Sequence, residues 1–272
     1  MDLIDMHTHT TSSDGSLSSK SLIDYAIKKG LQGLSITDHD TVEGLPDAVA
    51  YAKKFENFTF IPGIELSTEY KSEEIHILGY NIDFKSNSLI TLLDKIKFHR
   101  ESRAEKIINK LNSIGMDISY EEVSKYAKGV IGRPHIAQVL IEKNYVETFD
   151  EAFRLYLNIN APAYVPRYKI TPKEAVDVIR LAGGYAVLAH PGLINNRDIT
   201  QEIISCKING LEVFYPTHTE DDISDFLKIS NKHNLITTGG SDFHRIPDKT
   251  SKRADLGTSS VPVKLIENMI SV

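Results

Sequence analysis

The sequence predicts an α/β fold, in which strand and helix units repeat around a mainly parallel sheet. Seven short apolar segments are each bounded by turn residues, a pattern typical of buried strands. They cover residues 3–6, 33–36, 58–66, 75–80, 185–188, 210–215 and 235–238. Stretches between them, such as 18–30 and 172–182, have the apolar spacing of amphipathic helices. This alternation fits either an open sheet or a closed barrel.

The middle of the chain has a different pattern. Between residues 88 and 161, apolar residues recur at helical spacing and charged residues fill the opposite face. No flexible tether rich in Gly and Ser flanks this region, and Pro162 and Pro166 follow it. We therefore predict a helical insertion at 88–162 that interrupts one domain, whose two parts are residues 1–87 and 163–272.

Composition limits the classes of function. Of 272 residues, 41% are hydrophobic and 25% are charged, a balance typical of folded chains rather than disordered ones. The net charge of −6 gives no overall positive field for a polynucleotide, so any nucleic-acid contact must be local. Cys206 is the one cysteine, which excludes an internal disulfide and a thiolate metal cluster. Since we find neither a secretory signal nor a membrane segment, we expect a cytoplasmic protein without a membrane or stable protein partner.

Histidines and carboxylates lie at the ends of nearly every predicted strand. His7 and His9 end the first strand and project to one face, because alternate residues of a strand do so. Six imidazoles and three carboxylates belong to this set: His7, His9, His39, His76, His190, His244, Asp14, Glu65 and Asp242. Carboxyl ends of parallel strands meet on one face of an α/β fold, where such proteins place their sites. Any one of these histidines alone would be an ordinary packed or exposed residue, but that explanation does not account for the whole set.

These nine side chains predict a metal centre. One zinc ion needs three or four protein ligands, so nine indicate two or three clustered divalent ions. Imidazoles and carboxylates without sulfur suit manganese, which we favour, and also iron or zinc, but not calcium. Such ions polarise phosphoryl oxygens and activate water near neutral pH, which predicts hydrolysis of a phosphate ester.

Six motifs follow one another along the chain. They are HTH at 7–9 with Asp14, TDHD at 37–40, PGIE at 62–65, His76, AHP at 189–191 and GSDFH at 240–244. In this order they resemble the motifs of the PHP (polymerase and histidinol phosphatase) metal-dependent phosphoesterases. The resemblance is strongest to a stand-alone branch with 3',5'-nucleotide bisphosphatases and 5'-to-3' exoribonucleases. It rests there on the helical insertion, on GRPHIA at 132–137 and on EVFYPTH at 212–218.

The resemblance implies a distorted (β/α)7 TIM-like barrel with an inserted helical subdomain and a trinuclear metal centre. It implies three ligand groups: His7, His9, Glu65 and Asp242 for one ion, Glu65, His76 and His190 for a second, and Asp14, His39 and His244 for a third. Several relatives have a histidine at the position of Asp14, so this chain follows the variant with a carboxylate there.

Substrate contacts are expected beside this ligand set. The guanidinium of Arg133 can grip a phosphate, and His135 can donate a proton or a hydrogen bond. His218 follows a predicted strand and can protonate the leaving oxygen as a general acid. We therefore predict substrate binding by Arg133, His135 and His218, and catalytic roles for His218, His135 and Asp242. In the alternative, Arg133 forms a surface salt bridge and His218 merely lines the pocket.

The sequence thus predicts a metal-dependent phosphohydrolase that removes phosphate from small nucleotides such as 3',5'-nucleoside bisphosphates. Short RNA, hydrolysed from its 5' end, is a further candidate substrate. The alternatives are a histidinol-phosphate-type or general phosphomonoesterase and, in another class, a non-catalytic metal-stabilised binding domain. The complete ligand set argues against the last, because domains that lose activity lose ligands first.

Four polar residues near these motifs have no assigned chemistry. Asp38 and Asp40 either orient imidazole ligands, or bond the loop backbone and cap the following helix. His99 and His233 fall in helical segments and are expected to have no role at the site.

Overall fold

The structure, a computed structural model, describes residues 2–127, 131–247 and 254–270. The chain divides into two compact units, one made of residues 1–91 and 169–272 and the other of residues 92–168. The first, the barrel unit, contains the sheet, and the second, the helical unit, contains helices. The predicted domain boundaries after residues 87 and 162 stay predictions.

Eight strands form one continuous sheet in the described part of the barrel unit. They are β1 (Leu3–Asp5), β2 (Gly33–Ile36), β3 (Thr59–Tyr70), β4 (Glu73–Tyr80), β5 (Tyr185–Leu188), β6 (Gly210–Phe214), β7 (Ile236–Gly239) and β8 (Val261–Pro262), in the spatial order β7-β6-β5-β4-β3-β2-β1-β8. Beyond the ends of β1 and β7, the Met6 amide donates to the Gly239 carbonyl at 3.2 Å and Thr8 forms a parallel bridge with Phe243. The sheet is therefore a nearly closed barrel, which confirms the predicted fold class.

The barrel strands consist mainly of apolar residues, as expected for strands that are covered on both faces of the sheet. All four residues of β2 are buried, and the barrel core includes Ile4, Met6, Leu78 and Val187. Parallel strands covered by helices have this continuous apolar pattern. The seven predicted segments correspond to β1 through β7, whereas the short β8 lay outside the prediction.

Strand β4 runs against both of its neighbours, and the short β8 runs against β1. β4 pairs antiparallel with β3 and with β5, whereas β1, β2 and β3 pair in parallel, as do β5, β6 and β7. The reversal follows a two-residue turn at Lys71 and Ser72, whose φ angles of 49° and 67° suit a type I′ hairpin. His76 therefore lies within β4, paired with Ser67, and not at a carboxyl end. The sheet is thus mainly parallel, as the sequence predicts, with β4 as an exception among the seven predicted strands.

Along the chain, helices lie between most of the strands, as predicted. The described α-helices are α1 (Ser19–Lys28), α2 (Leu45–Ala52), α3 (Asn87–Ser113), α4 (Tyr120–Ser124), α5 (Arg133–Glu142), α6 (Phe149–Ala152), α7 (Pro172–Leu181), α8 (Asp198–Ile204), α9 (Glu220–His233) and α10 (Glu267–Ile270). α7 begins at a capping box in which Thr171 and Glu174 bond each other's backbone amides. His99 lies on α3 and His233 on α9. Among the described helices, none combines the length and apolar character that crossing a bilayer requires.

The helical unit is held together by an apolar core. Its buried members include Ile107, Leu111, Ile136 and Leu140, which come from α3 and α5. A π-helical turn at Phe153–Leu157 follows α6 and adds the buried Leu157. Helical spacing of apolar residues in 88–161 thus produces the packed face that it predicted.

Candidate metal centre

His7 and His9 leave the end of β1 and point to the same side. Both are completely buried, and their ring centroids are 5.2 Å apart. Their Nε2 atoms lie 3.5 and 3.0 Å from Oδ1 of Asp242, which follows β7. The two imidazoles and this carboxylate therefore surround one point, as the HTH motif predicts.

Glu65 of β3 lies at the centre of the histidine cluster. Only 1% of its surface is exposed. Five imidazole nitrogens surround its two oxygens: His7 Nε2 at 3.4 Å, His9 Nε2 at 3.3 Å and His39 Nδ1 at 2.9 Å from Oε2, with His76 Nδ1 at 2.8 Å and His190 Nε2 at 3.3 Å from Oε1. These histidines come from four separate parts of the barrel, so the fold brings together what the sequence distributes over more than 180 residues.

Asp14 and His244 form the outer part of the cluster. His244 Nε2 lies 3.2 Å from Asp14 Oδ1, and His9 Nδ1 lies 3.9 Å from the same atom. The rings of His9 and His244 are stacked at 4.2 Å. Asp14 is 55% exposed, in contrast to the buried histidines. Asp14 is thus the most exposed member of the cluster.

Potential ligand atoms fall into three groups, within each of which all atoms lie within 4.8 Å of one another. The groups are His7, His9 and Asp242, then His39, Glu65 and His76, and finally His9, Asp14, His39 and His244. In this arrangement His9 and His39 each belong to two groups. All nine predicted ligands lie at this centre, and their division among ions stays a prediction.

The donor set fits divalent metal ions. Several buried nitrogen and oxygen atoms approach one another but form no hydrogen bond among the described residues: His7 Nε2, both ring nitrogens of His9, His39 Nδ1 and Glu65 Oε2. Leaving such atoms without a partner costs free energy, whereas metal coordination would satisfy each of them. Imidazole nitrogen and carboxylate oxygen are ligands for manganese, iron and zinc.

Burial and charge act in opposite directions on the histidines. Burial, together with the neighbouring His39, lowers the pKa of His9 to about 4, so that ring is neutral and able to bind a cation. Burial also opposes protonation of His76, but the charge of Glu65 and the hydrogen bonds to Glu65 and Glu74 together outweigh it and raise the pKa of His76 to about 10. Without metal, positive charge at the centre thus resides on the histidines closest to Glu65.

The carboxyl groups of Asp242 and Asp14 remain ionised although partial burial favours their neutral forms. Burial would raise the pKa of Asp242, but His7 and His9 hold it well below its usual range. The pKa of Asp14 is lowered against burial by the hydrogen bond from His244 and by the charge of His39. Negative oxygens are therefore present at neutral pH on both sides of the cluster.

Tyr215 is a residue of the site that we did not predict. Its hydroxyl donates to Asp242 Oδ2 at 2.9 Å, which leaves Oδ1 directed toward His7 and His9. Burial and the charge of Asp242 raise the pKa of Tyr215 above its ordinary value, so the hydroxyl keeps its proton. The EVFYPTH motif contains this residue, but only the fold shows its partner.

Backbone strain marks three positions of the centre. The φ angles of Asp40, His190 and Asp242 are positive, at 51°, 27° and 52°. Residues other than glycine rarely adopt such angles. Such conformations persist where the surrounding structure enforces them, and they concentrate at functional sites.

Asp38 and Asp40 bond backbone amides of neighbouring loops. Asp38 accepts hydrogen bonds from the Thr10 amide at 2.7 Å and from the hydroxyls of Thr10 and Ser13 at 2.6 Å. Asp40 accepts from the Ser67 amide at 2.9 Å, and Gly44, not Asp40, precedes α2 as its N-cap. For Asp38 the loop-binding alternative therefore describes its contacts, and helix capping does not apply to Asp40.

His218 follows β6 and is half-buried. Its Nδ1–H donates to the Val213 carbonyl at 2.8 Å, and its Nε2 accepts from the Gly192 amide at 3.0 Å. Burial lowers its pKa. A proton-donating role would require Nε2 to release Gly192 and take up a proton.

Arg133 and His135 begin α5 in the helical unit. The Arg133 guanidinium lies 5.2 Å from the ring centre of Phe153 and donates to the Leu157 carbonyl at 3.2 Å. His135 Nδ1 accepts from the Gly132 amide at 3.0 Å, and burial lowers the pKa of this histidine. A ring and a carbonyl, rather than the salt bridge of the alternative, are thus the contacts of Arg133 that the structure gives.

A cavity of about 250 Å³ opens beside the centre, at the face of β4 and β5. His76 and His190 line it together with Glu74, Leu193 and Ile194. A small substrate in this space would meet the imidazoles from their solvent side.

Buried imidazoles and carboxylates gathered at one end of a barrel are an arrangement of metal-dependent hydrolases. Residues 5–179 match the PHP domain, and the chain belongs to this family. It is a metal-dependent phosphoesterase, as the sequence predicted.

Two characterised relatives cover most of the chain. The chain is 31% identical over 250 residues to the 5'-3' exoribonuclease Rnm of Escherichia coli. This match covers 89% of the chain and 85% of the relative. The chain is 32% identical over 248 residues to the 3',5'-nucleoside bisphosphate phosphatase of Chromobacterium violaceum, with 89% and 87% covered.

Solved structures give the same picture of the fold. A protein of Bifidobacterium adolescentis assigned as a metal-dependent phosphoesterase superposes with a TM-score of 0.83 at 27% identity, over 98% of this chain and 95% of that one. An amidohydrolase of Chromobacterium violaceum, solved with bound sulfate and no metal, gives a TM-score of 0.77 at 30% identity, over 97% and 96%.

Proposed function

We propose that this phosphoesterase removes phosphate from small nucleotides such as 3',5'-nucleoside bisphosphates, and that it hydrolyses short RNA from the 5' end. The observation that carries the proposal is the buried Glu65 with five imidazole nitrogens around its two oxygens. Relatives named for these two activities support the choice of substrate class.

The proposed centre takes two or three divalent ions, with manganese favoured over iron and zinc. Its ligands are His7, His9, Asp14, His39, Glu65, His76, His190, Asp242 and His244. Bound ions at such a site withdraw charge from phosphoryl oxygens and lower the pKa of water, which supplies the chemistry of hydrolysis. The protein contributes neutral imidazoles such as His9 and ionised carboxylates such as Asp242, because its burial and charges set those states.

Substrate binding is proposed for Arg133, His135 and His218. The guanidinium of Arg133 is supported by Phe153 and can present its remaining N–H groups to a phosphate. Among these three, His218 is the candidate acid, since its Nε2 is held only by a backbone amide. Replacement of His218 by Asn, which keeps a donor to Val213, would then reduce turnover of substrates with poor leaving groups more than of those with good ones.

A cytoplasmic location stays a prediction from the sequence.

The test is a substrate comparison with defined metal content. Metal-free protein is reloaded with manganese, iron or zinc, and phosphate release is measured from 3',5'-bisphosphorylated adenosine, histidinol phosphate and short 5'-phosphorylated RNA. We expect release from the bisphosphate and the RNA to exceed that from histidinol phosphate. Preference for histidinol phosphate would support the phosphomonoesterase alternative, and absence of turnover in every loaded form would leave the binding domain.

A further inference from the structure

Glu212 is a fully buried carboxylate in the middle of β6 to which no role has been given. Its Oε1 lies 3.0 Å from His7 Nδ1, and its Oε2 accepts from the His190 backbone amide at 2.7 Å. The side chain has no exposed surface. One carboxylate thus contacts two of the proposed metal ligands, which lie 183 positions apart in the sequence.

The contact with His7 selects the tautomer of that ring. A carboxylate can only accept a hydrogen bond, so Nδ1 must carry the proton. In the neutral ring, the form that binds metal, the lone pair is then on Nε2, the nitrogen that lies 3.4 Å from Glu65 and 3.5 Å from Asp242. Carboxylates that hold a metal-bound histidine by its second nitrogen fix both its tautomer and its orientation.

The contact with His190 holds a strained backbone. The φ angle of His190 is 27°, in a region that a β-carbon disfavours. The bond from its amide to Glu212 keeps this conformation, and its Nε2 then lies 3.3 Å from Glu65 Oε1. A residue that forms such a bond offsets part of the strain of the ligand that it holds.

We infer that Glu212 is a positioning residue that orients His7 and His190 together for metal binding. The inference rests on the proposed ligand set. Both partners of Glu212 are donors, so it needs two acceptor oxygens. Glutamine has one acceptor oxygen and one NH2 group, and the latter would face an N–H. An inert buried side chain would instead be expected to be apolar, because burial of a carboxylate is costly without such bonds.

The first test compares Glu212→Gln with wild type in metal binding, without substrate. Zinc and manganese affinity is measured by competition with a chromophoric chelator, together with metal content and the Tm of the metal-free proteins. We expect affinity to fall about 10- to 100-fold for Glu212→Gln. Thr200→Val is the matched control, since Thr200 is buried in α8 outside the cluster, and it should bind metal as wild type does.

Wild-type affinity and stoichiometry in Glu212→Gln would overturn the inference. An unchanged metal affinity together with a fall in Tm equal to that of Thr200→Val would also overturn it, because those results indicate a purely structural role. Asp242→Ala separates this failure from failure of the site itself. If Asp242→Ala loses metal while Glu212→Gln does not, only the role of Glu212 is wrong, and if neither loses metal, the proposed ligand set is wrong.

A second test needs no variant of Glu212 and so does not depend on its folding. Long-range ¹H–¹⁵N spectra of the metal-free and zinc-loaded wild type report which nitrogen of each histidine is protonated, and the His7→Gln spectrum identifies the His7 signals. We expect the Nδ1–H tautomer in the loaded protein. A proton on Nε2, or zinc on Nδ1, would overturn the inference.

Discussion

The barrel unit and the helical unit bury different kinds of side chain. In the barrel unit, buried polar residues are frequent and include His7, His9, Glu65 and Glu212. In the described part of the helical unit, every buried residue is apolar. The two units therefore fold for different reasons, since apolar burial stabilises the helices while the barrel also carries groups that cost free energy until they are paired.

This difference separates stability from chemistry along one chain. Changes in the apolar core of the helical unit should weaken folding without changing the metal centre. Changes among the buried polar groups of the metal centre should alter metal binding and turnover. Each prediction below tests this separation, from the largest expected effect to the smallest.

Asp242→Ala is expected to reduce phosphate release by about three orders of magnitude, because it removes an ionised oxygen shared by His7 and His9. Kinetics and metal content of the purified protein measure the effect. The control is Asp225→Ala, which removes an exposed aspartate of α9 paired with Lys228. Undiminished turnover with full metal content would contradict the ligand role of Asp242.

Leu111→Ala is expected to lower the free energy of unfolding by about 3 kcal/mol, since the side chain is fully buried in the helical unit. Metal content should remain that of wild type. Chemical denaturation measures the first and elemental analysis the second, with the exposed Leu181→Ala as control. Loss of metal in a folded Leu111→Ala protein would show that the two units are not separable in this way.

Tyr215→Phe removes one hydrogen bond to Asp242 and keeps the ring. The expected loss is about tenfold in kcat/KM, as for a bond to a charged group worth about 1.5 kcal/mol. Tyr70→Phe, which removes a comparable bond to Glu202 away from the centre, should leave kcat/KM unchanged. Equal effects of the two substitutions would argue that the Tyr215 hydroxyl has no specific part in positioning Asp242.

The smallest effect is expected for an ion pair on the barrel surface. Lys173 and Asp177 face each other on one side of α7, and both are about half exposed. A double-mutant cycle with alanine should give a coupling of ~0.5 kcal/mol or less, because water and salt screen such a pair. A coupling several times larger would mean that charge in the barrel unit matters outside the buried cluster as well.

Much of the fold could be predicted because it depends on local patterns. Apolar segments bounded by turns gave β1 to β7, and helical spacing between residues 88 and 161 matched α3 to α6. The direction of β4 could not be predicted, since it depends on a tight turn at Lys71 and Ser72, where neither residue is the usual glycine.

The nine proposed ligands were predicted from residue type and, for most of them, position at a strand end, and the fold brings them together. The partners of these ligands were not found. Glu212 and Tyr215 were in a motif, but a glutamate within an apolar strand or a tyrosine after it has no local sign of its partner. Their roles arise from contacts across the barrel, with His7 and with Asp242, that no spacing along the chain encodes.

The reversal of β4 determines at which rim of the barrel the later strands end. Because β4 is antiparallel to both of its neighbours, the chain changes direction twice, and β5 regains the direction of β3. The carboxyl ends of the six strands β1 to β3 and β5 to β7 therefore lie at the same rim of the barrel. If the chain reversed only once, His190 and Asp242 would leave their strands at the opposite rim, far from His7 and His9. The hairpin at Lys71 is therefore important because it is the first of the two reversals that return β5 to the direction of β3.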